Sequence, residues 1–514
     1  MTKEVLEKKL ADSAHNKAGG PDNCNFYLLS MCSPSVKEWL LEVVNLHLTT
    51  PMPESWQRSN VFLLYKKGAP DIPSNYRPIS LLNVVYKLIA SHLTGTLSSL
   101  TAQHGLNHPA QIGGLHNRRT SDHICHLSAL MGLGVEESPQ SAACGCVAPT
   151  SCNCPPSPPL PPPGGHFYHL YVDFNKAFNS VPRAALREAL VRYGLPSWLV
   201  SAVFLLYTDP NEYPIVNGHT PSSYRLDRGL RQGCPMSPIL FNLYLNLVLF
   251  SLPRFRGTTF AFIDDILFRV ADPLVVAEIF SFFDTFVRDL GLDMNAEKTE
   301  VQAMGPAPHF SFRAPGGAIV STCKPGPDGA PRDFYKYLGV YVYSSNPGAR
   351  LDEYILNEIG GFFSALAPLE LTHSELVLLM NCQLIPILTY RLMAHSFPPE
   401  VLDFYDRALW AELCANSRVS EAVSEKDRGV RRKEGGLNLN SLQVSVQKTT
   451  YHTCLRHLNG EGPPRATQVI NKCLLAPDQN PLLDVFLDSA QSLGVRTHGW
   501  GPWNPCRVRD LIAG

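Results

Sequence analysis

The hydrophobic pattern in the centre of the chain predicts strands that end in carboxylates. In "HFYHLYVDFNKAF", residues 166–178, an apolar and aromatic run ends at Asp173 and is typical of a buried strand. In "TTFAFIDDILFRV", residues 258–270, Val and Phe residues alternate on both sides of Asp264 and Asp265. That pattern predicts two strands joined by a tight turn at the acids.

Helical spacing and capping residues predict the elements between and after these strands. A first helix has Ser180 as its N-cap and can end at Gly194, and a second has Ser237 as its N-cap. A third carries an apolar stripe made of Val276, Ile279, Phe280, Phe283, Val287 and Leu290. A strand opening with Lys298 follows. This order of elements predicts an α+β fold of the ferredoxin-like type, with helices covering one face of the sheet.

Composition adds little to this picture except local charge. The 514 residues carry a net charge of −1, so the chain as a whole is not drawn to nucleic acid. Basic residues outnumber acids locally in residues 56–126 and 418–433, where they can neutralise phosphates. The alternative for the second run is an ordinary solvated face. No signal peptide and no apolar run of spanning length are evident, so we expect a soluble intracellular protein, nuclear or cytoplasmic, with free thiols and no membrane.

Residues 134–165 break the composition because they are rich in Pro, Ser and Cys. Such a segment is typical of an insertion or linker. A zinc site is the alternative, but two C-x-C pairs differ from the C-x2-C spacing of the common zinc knuckle, and no nearby His completes such a site. The four residues concerned are Cys144, Cys146, Cys152 and Cys154.

The three carboxylates suggest metal chemistry if their strands share one sheet. Asp173 would then meet Asp264 and Asp265 at its edge, where their charges repel one another unless cations neutralise them. Oxygen ligands select hard cations such as Mg²⁺, and two such ions form the clamp used for phosphoryl displacement. A hydrophilic surface turn is the ordinary alternative for an Asp-Asp dipeptide.

A series of sequence blocks resembles one polymerase family in the order that the family has them. The blocks include "WQRSNVFLLYKKG", "NYRPISLLNVVYKLIA", "AQIGGLHNRRTSDHI", "YVDFNKAF", "RQGCPMSPILFN", "FIDDI", "GLDMNAEKTE" and "YKYLGVYV". Through them the chain resembles the reverse transcriptases of non-LTR retrotransposons and, more distantly, those of group II introns. The resemblance covers residues 16–345 well and the remainder loosely.

The resemblance implies a fold and an activity. The expected fold is a right-hand polymerase with an N-terminal block and fingers in 1–133, a ferredoxin-like palm in 166–345 and a helical thumb with a C-terminal region in 346–514. The segment 134–165 would be an insertion or linker. The expected activity is RNA-templated DNA synthesis with two Mg²⁺ ions, Mn²⁺ being an alternative. Its partners would be an RNA template, a DNA primer and deoxynucleoside triphosphates. The competing hypothesis is an element-derived relic that binds RNA without polymerising.

The resemblance also assigns roles to single residues. Asp173, Asp264 and Asp265 match the metal-binding carboxylates, and Phe174 would add its backbone carbonyl. Lys298 matches a proton donor to the leaving pyrophosphate, unless it is a solvated surface charge. The residues that would bind the nucleotide are Lys66 or Lys67, Arg77, Phe178, Gln232 and Gly233. Among these, Phe178 would screen the sugar 2′ position. The alternatives are a core role for Phe178 and a packing role for Arg77.

Two positions depart from the family pattern without removing a metal ligand. Ile263 precedes the Asp pair where the family more often has Ala, and its larger branched side chain alters the packing there. Asn179 stands where the family often has Asp.

Overall fold

A computed structural model describes most of the chain outside the Pro- and Cys-rich segment. The described residues are 1–12, 18–66, 68–133, 167–208, 210–216, 218–220, 222–252, 257–305, 307–322, 334–344, 348–393, 397, 399–417, 422–430 and 436–474. Lys67 and the four cysteines considered for zinc lie outside the described residues. So do four of the basic residues of the run 418–433, namely Arg418, Arg431, Arg432 and Lys433.

Helices predominate among the described N-terminal and C-terminal residues. Those up to the first strand of the central sheet are α1 (Lys3–Ala11), α2 (Phe26–Ser30), α3 (Pro34–Leu46), α4 (Glu54–Gln57), α5 (Val84–Gln103) and α6 (Thr120–Leu133). The central helices are α7 (Ala177–Ser180), α8 (Arg183–Arg192), α9 (Ser197–Leu205), α10 (Ser237–Ser251) and α11 (Pro273–Phe282). The C-terminal helices are α12 (Gly348–Leu366), α13 (His373–Leu379), α14 (Ile385–Leu392), α15 (Pro399–Ala415), α16 (Glu425–Gly429), α17 (Leu442–Leu458) and α18 (Pro464–Leu474).

The described strands form two four-stranded sheets and two hairpin-like pairs. They are β1 (Ser59–Tyr65), β2 (Tyr76–Leu82), β3 (Phe167–Val172), β4 (Asn211–Ile215), β5 (Tyr224–Arg225), β6 (Gly257–Phe262), β7 (Asp265–Val270), β8 (Glu300–Met304), β9 (Ser311–Arg313), β10 (Ile319–Ser321), β11 (Phe334–Tyr337) and β12 (Val340–Tyr343). The N-terminal sheet has the order β2–β1–β4–β5, in which β1 is antiparallel to β2 and parallel to β4.

The central sheet has the strand order β6–β7–β3–β8, and each neighbouring pair is antiparallel. Along the chain these strands alternate with helices as β3, helices, β6, β7, helix, β8. That is the split βαβ topology of a ferredoxin-like sheet. The predicted α+β class and ferredoxin-like sheet are therefore confirmed.

The central sheet is covered on both faces, so the prediction of a single covered face is wrong. Tyr168, Leu170 and Val172 of β3 pack in the main core with α10 and α11. Phe167 and Tyr171, which alternate with them, face a second core formed with α6 and the β11–β12 hairpin. Because side chains of a strand point alternately to opposite faces, an all-apolar strand needs cover on both.

Two predicted helix starts also need correction. Helix α8 begins at Arg183 with Pro182 at its N-cap, while the Ser180 hydroxyl donates to the backbone carbonyls of Asn175 and Lys176. Helix α10 begins at Ser237 itself, whose hydroxyl donates to the Arg231 carbonyl at 2.7 Å. In both cases the hydroxyl binds a preceding carbonyl instead of a helical N–H group. The predicted end at Gly194 is confirmed by its positive φ of 74°.

Helices α13 and α14 are joined by a π-helical turn into one run, His373–Leu392. Within the described part of the chain, this run alone has the length and apolar composition to cross a membrane, and 44% of its apolar window is buried. The prediction that no segment reaches that length is therefore wrong. A buried core helix passes the same test, and Leu376, Leu384 and Leu388 do pack in the C-terminal core. The run is thus weak evidence for a membrane segment.

Candidate active site

The central sheet brings the three predicted carboxylates to one of its ends. Asp173 directly follows β3, and Asp264 and Asp265 lie at the turn between β6 and β7. Val172 of β3 pairs with Ile266 of β7, so Asp173 and Asp265 leave the same end of neighbouring strands. The local patterns that predicted strands ending in acids are therefore sufficient to assemble this cluster.

Burial raises the pKa values of all three acids. Burial raises the pKa of the Asp173 carboxyl, an effect that nearby Lys298 opposes. Burial and the charge of Asp173 raise the pKa of Asp264. Asp265 keeps solvent-accessible surface, yet partial burial together with the charges of Asp264 and Asp173 raises its pKa to about 7. Such mutual repulsion is what a bound cation relieves.

Three basic side chains surround this cluster. Lys298 Nζ lies 3.7 Å from Asp173 Oδ2. Lys66 and Arg77 come from the β1–β2 hairpin, where the Lys66 amide donates to the Asn75 carbonyl at 2.8 Å. Burial and the charges of Arg77 and Lys298 lower the pKa of Lys66. The structure thus brings the predicted acids together with Lys66, Arg77 and Lys298, while Lys67 lies outside the described residues.

The predicted nucleotide-facing turn is held against β2. The Ser80 amide donates to the Gln232 carbonyl at 2.6 Å, and Gln232 Nε2 donates to Asn179 Oδ1 at 3.1 Å. Gly233 has a φ of 121°, and a Cβ atom there would lie 2.4 Å from the Ser80 carbonyl oxygen. Glycine is therefore required by the close approach to β2. The departure at Asn179 supplies the hydrogen-bond acceptor for Gln232.

Arg231 precedes Gln232 and Gly233 in the loop, but its side chain points into the fold. Its side chain is buried, and its Nη2 donates to the Gln57 carbonyl at 2.6 Å. The guanidinium lies over the Tyr86 ring and 3.9 Å from Glu212 Oε1. It therefore anchors the base of the turn within the fold.

Glu212 is a site-supporting residue that the sequence patterns did not indicate. Its carboxylate accepts hydrogen bonds from Ser80 Oγ at 2.8 Å and from the Tyr224 hydroxyl at 2.6 Å. Through these bonds and Arg231 it ties β4 to β2 and to the turn. A single Glu on a short strand carries no local signal, since its partners are distant in sequence.

The two predicted aromatic residues are packed in the core. Phe178 is half-buried and stacks on Phe241 with ring centroids 4.8 Å apart. Its backbone carbonyl accepts from the Leu230 amide, which places it beside the turn. Phe174 is buried against Phe283. Two backbone hydrogen bonds join this segment to residues 293–295: the Asn175 amide donates to the Asp293 carbonyl, and the Asn295 amide donates to the Asp173 carbonyl. The Phe174 carbonyl takes part in neither of them.

The turn that carries the Asp pair has an unusual backbone. Ile263 adopts a φ of 58°, a left-handed conformation that β-branched residues rarely take. The side chain of Gln111 hydrogen-bonds to both the amide and the carbonyl of Ile263. Gln111 belongs to the block "AQIGGLHNRRTSDHI", but no role for it follows from sequence spacing.

The three acids provide suitable oxygen ligands for a divalent cation but not a complete coordination shell. Asp173 Oδ2 is buried and has no hydrogen-bond partner among the described residues. Within the same residues, no group of three or more His, Cys, Asp or Glu side chains is arranged to hold a metal ion. Asp173, Asp264 and Asp265 offer the oxygen ligands that hard cations prefer, and further oxygen ligands would have to complete the coordination of any ion held there.

A family model described as reverse transcriptase (RNA-dependent DNA polymerase) matches residues 64–342. The chain is 23% identical over 495 residues to the transposon TX1 uncharacterized 149 kDa protein of Xenopus laevis, covering 90% of this chain and 34% of that protein. It is 22% identical over 425 residues to the retrovirus-related Pol polyprotein from type-1 retrotransposable element R2 of Popillia japonica, covering 79% of this chain and 54% of that protein. The chain thus spans about a third to a half of the length of these curated relatives.

Among solved structures, the chain is similar to a telomerase from Candida tropicalis in complex with a fragment of telomeric RNA. The TM-score is 0.38 with 9% identity, covering 93% of this chain and 67% of that one. The relatives confirm the resemblance to non-LTR retrotransposon reverse transcriptases, and the family match confirms the right-hand polymerase fold. The domain limits and the group II intron resemblance stay predictions. Since the family model matches more than half of its length, the chain belongs to the reverse transcriptase (RNA-dependent DNA polymerase) family.

Proposed function

We propose that this chain is an RNA-templated DNA polymerase that adds deoxynucleotides to a primer 3′-hydroxyl. The observation that carries the proposal is the cluster of three carboxylates at one end of the central sheet, whose pKa values are raised by burial, together with the nearby cations Lys66 and Arg77 of the β1–β2 hairpin. Its partners would be an RNA template, a DNA primer and deoxynucleoside triphosphates. In this proposal residues 1–133 are the fingers, 166–345 the palm and 346–514 the thumb and C-terminal region.

Each residue would act through its charge or shape. Two Mg²⁺ ions, or Mn²⁺, would polarise the attacking hydroxyl and the transferred phosphate. Asp173, Asp264 and Asp265, with the Phe174 carbonyl, would hold them.

The cations would act on the substrate. The side chains of Lys66 and Arg77 would bind the triphosphate, with Lys67 as the alternative to Lys66. The Lys298 ammonium would give a proton to the leaving pyrophosphate oxygen. Because a loose transition state spreads negative charge over oxygens, these positions suit its stabilisation.

The Gln232–Gly233 turn and Phe178 would shape the nucleotide pocket. The turn would face the incoming base pair. Ser80 holds its backbone, Asn179 accepts from the Gln232 side chain, and the buried Arg231 side chain anchors its base. Phe178 lies beside this turn and would block a 2′-hydroxyl.

The deciding experiment is primer extension on an RNA template with a DNA primer, deoxynucleotides and Mg²⁺. Template-dependent extension that stops when one deoxynucleotide is omitted would support the proposal. Tight binding of the template–primer by fluorescence anisotropy, without extension under any divalent cation, would favour the RNA-binding relic instead.

Metal binding should depend on pH because protons and the cation compete for the same oxygens. The pKa of Asp265 is raised to about 7, so protonation of this carboxyl stabilises the metal-free folded state at low pH. This stabilisation is lost as the pH rises through about 7. We therefore expect the Mg²⁺ concentration for half-maximal thermal stabilisation to fall about tenfold between pH ~5.5 and ~6.5 and to level off above pH ~7.5.

This dependence can be measured by thermal melts over MgCl₂ titrations, with KCl matched in ionic strength as the control. A half-stabilising concentration that does not change over this pH range would contradict metal binding by these acids. The Asp264→Asn variant should show little Mg²⁺-dependent stabilisation at any pH.

A further inference from the structure

Gln111 forms a two-sided hydrogen-bonded clamp on the turn that carries the Asp pair. Its Nε2 donates to the Ile263 carbonyl at 3.0 Å, and its Oε1 accepts from the Ile263 amide at 2.9 Å. The same Oε1 accepts from the Gly113 amide at 2.9 Å. Two N–H donors and one carbonyl thus define the orientation of the side-chain amide. Gln111 is 1% exposed, so water cannot replace these bonds readily.

The segment around Gln111 lies along β6 like an additional edge strand. The Ala261 amide donates to the Ala110 carbonyl at 2.9 Å, and the Ile112 amide donates to the Ala261 carbonyl at 3.0 Å. Beyond it, a Cβ atom on Gly113 would lie 2.4 Å from the Ile263 nitrogen. At position 113 the backbone therefore approaches the turn so closely that only glycine fits. This close contact restrains the turn in addition to the Gln111 hydrogen bonds.

The clamp acts on a strained residue. Ile263 has a φ of 58°, and a β-branched side chain in that region is unfavourable and persists only when its surroundings hold it. Asp264 follows directly, so the direction of both carboxylates depends on this backbone conformation. Without the clamp, Ile263 would be free to relax toward negative φ, which would change the direction of the two acids.

We propose that Gln111 is a positioning residue, which holds Ile263 in its left-handed conformation and thereby presents Asp264 and Asp265 to the metal ions. Its catalytic consequence rests on the proposed polymerase function, whereas the clamp itself can be tested without any activity. Gln111 touches no substrate in this proposal and acts only through the turn.

The first test is amide hydrogen exchange over residues 258–270. In Gln111→Met, which has similar volume but no hydrogen-bonding amide, exchange in this peptide should accelerate at least about tenfold. Gln111→Asn, whose shorter side chain cannot reach both sides, should give a smaller acceleration and serves as the variant if Met impairs folding. Gln103→Met, at an exposed glutamine near the end of α5, is the matched control and should change nothing. Unchanged exchange in folded Gln111 variants would overturn the proposal whether or not the chain polymerises.

The second test is a double-mutant cycle with Ile263→Gly, since glycine adopts a positive φ without strain. With Ile263 present, Gln111→Met should lower kcat for primer extension about 30-fold and change KM for the deoxynucleotide less than about threefold, as for a misplaced catalytic group. In the Ile263→Gly background, the same change should lower kcat less than about fivefold. Equal losses in both backgrounds would mean that Gln111 only contributes to stability, and would reject the positioning role.

The two tests separate the two hypotheses. If the unaltered chain shows no extension but exchange responds as expected, the clamp stands and the polymerase proposal fails. If extension is robust but neither exchange nor kcat responds to Gln111→Met, the clamp fails and the polymerase proposal stands.

Discussion

The Asp264→Asn variant is expected to lose primer extension by at least about 10³-fold while keeping its fold, which corresponds to about 4 kcal/mol in the barrier. The substitution preserves the shape of the side chain and removes one negative charge from a ligand shared by the cations. Because burial and the charge of Asp173 raise the pKa of this carboxyl, its ionised form is less favourable in the fold than in water. We therefore expect the metal-free variant to be at least as stable as the unaltered chain. Single-turnover extension and thermal melts would measure both effects.

The control is Asp289→Asn, at an exposed carboxylate that is not one of the three clustered acids. It should retain full extension and the same Mg²⁺-dependent stabilisation. Near-normal extension in Asp264→Asn would contradict its role as a metal ligand. A large loss of stability in the metal-free variant would show that Asp264 contributes to the fold and would leave the loss of activity without a catalytic meaning.

Shortening Phe178 to Ala or Val is expected to lower the preference for deoxynucleotides over ribonucleotides by about 10²-fold. The residue lies beside the Gln232–Gly233 turn, and its ring is kept rigid by stacking on Phe241. A rigid ring excludes an added hydroxyl by steric clash, because packed sites do not yield easily. The measurement is the ratio of kcat/KM values for a matched deoxynucleotide and ribonucleotide.

Packing effects must be separated from this specificity effect. Phe178→Ala removes part of the main core and should reduce the free energy of unfolding by about 3 kcal/mol, so Phe178→Val is the milder variant. Phe282→Ala is the matched control, since Phe282 is also half-buried and stacks on a neighbouring ring, that of Phe286. It should lose stability with an unchanged ratio. If both Phe178 variants behave like this control, Phe178 has only a core role.

The sequence by itself determined the elements of the central sheet and the acids at its end. Strand periodicity, helical spacing and the order of the blocks are local signals, and antiparallel pairing of β3 with β7 and β8 then follows from the topology that this order allows. Asp173 and Asp265 meet because each adjoins a strand of that sheet. Gly194 ends its helix as predicted, because glycine has no Cβ atom and adopts the positive φ found there without strain.

Only the tertiary structure decided which polar side chains lie at the carboxylate cluster and which support the surrounding backbone from within the fold. Arg231 lies next to Gln232 in the same loop, but its side chain turns inward to Gln57 and Glu212. Both of these partners are distant along the chain. Gln111 reaches Ile263 across 152 positions. The second covered face of the sheet likewise depends on α6 and the β11–β12 hairpin. No local periodicity encodes such contacts, because each depends on where distant segments meet after folding.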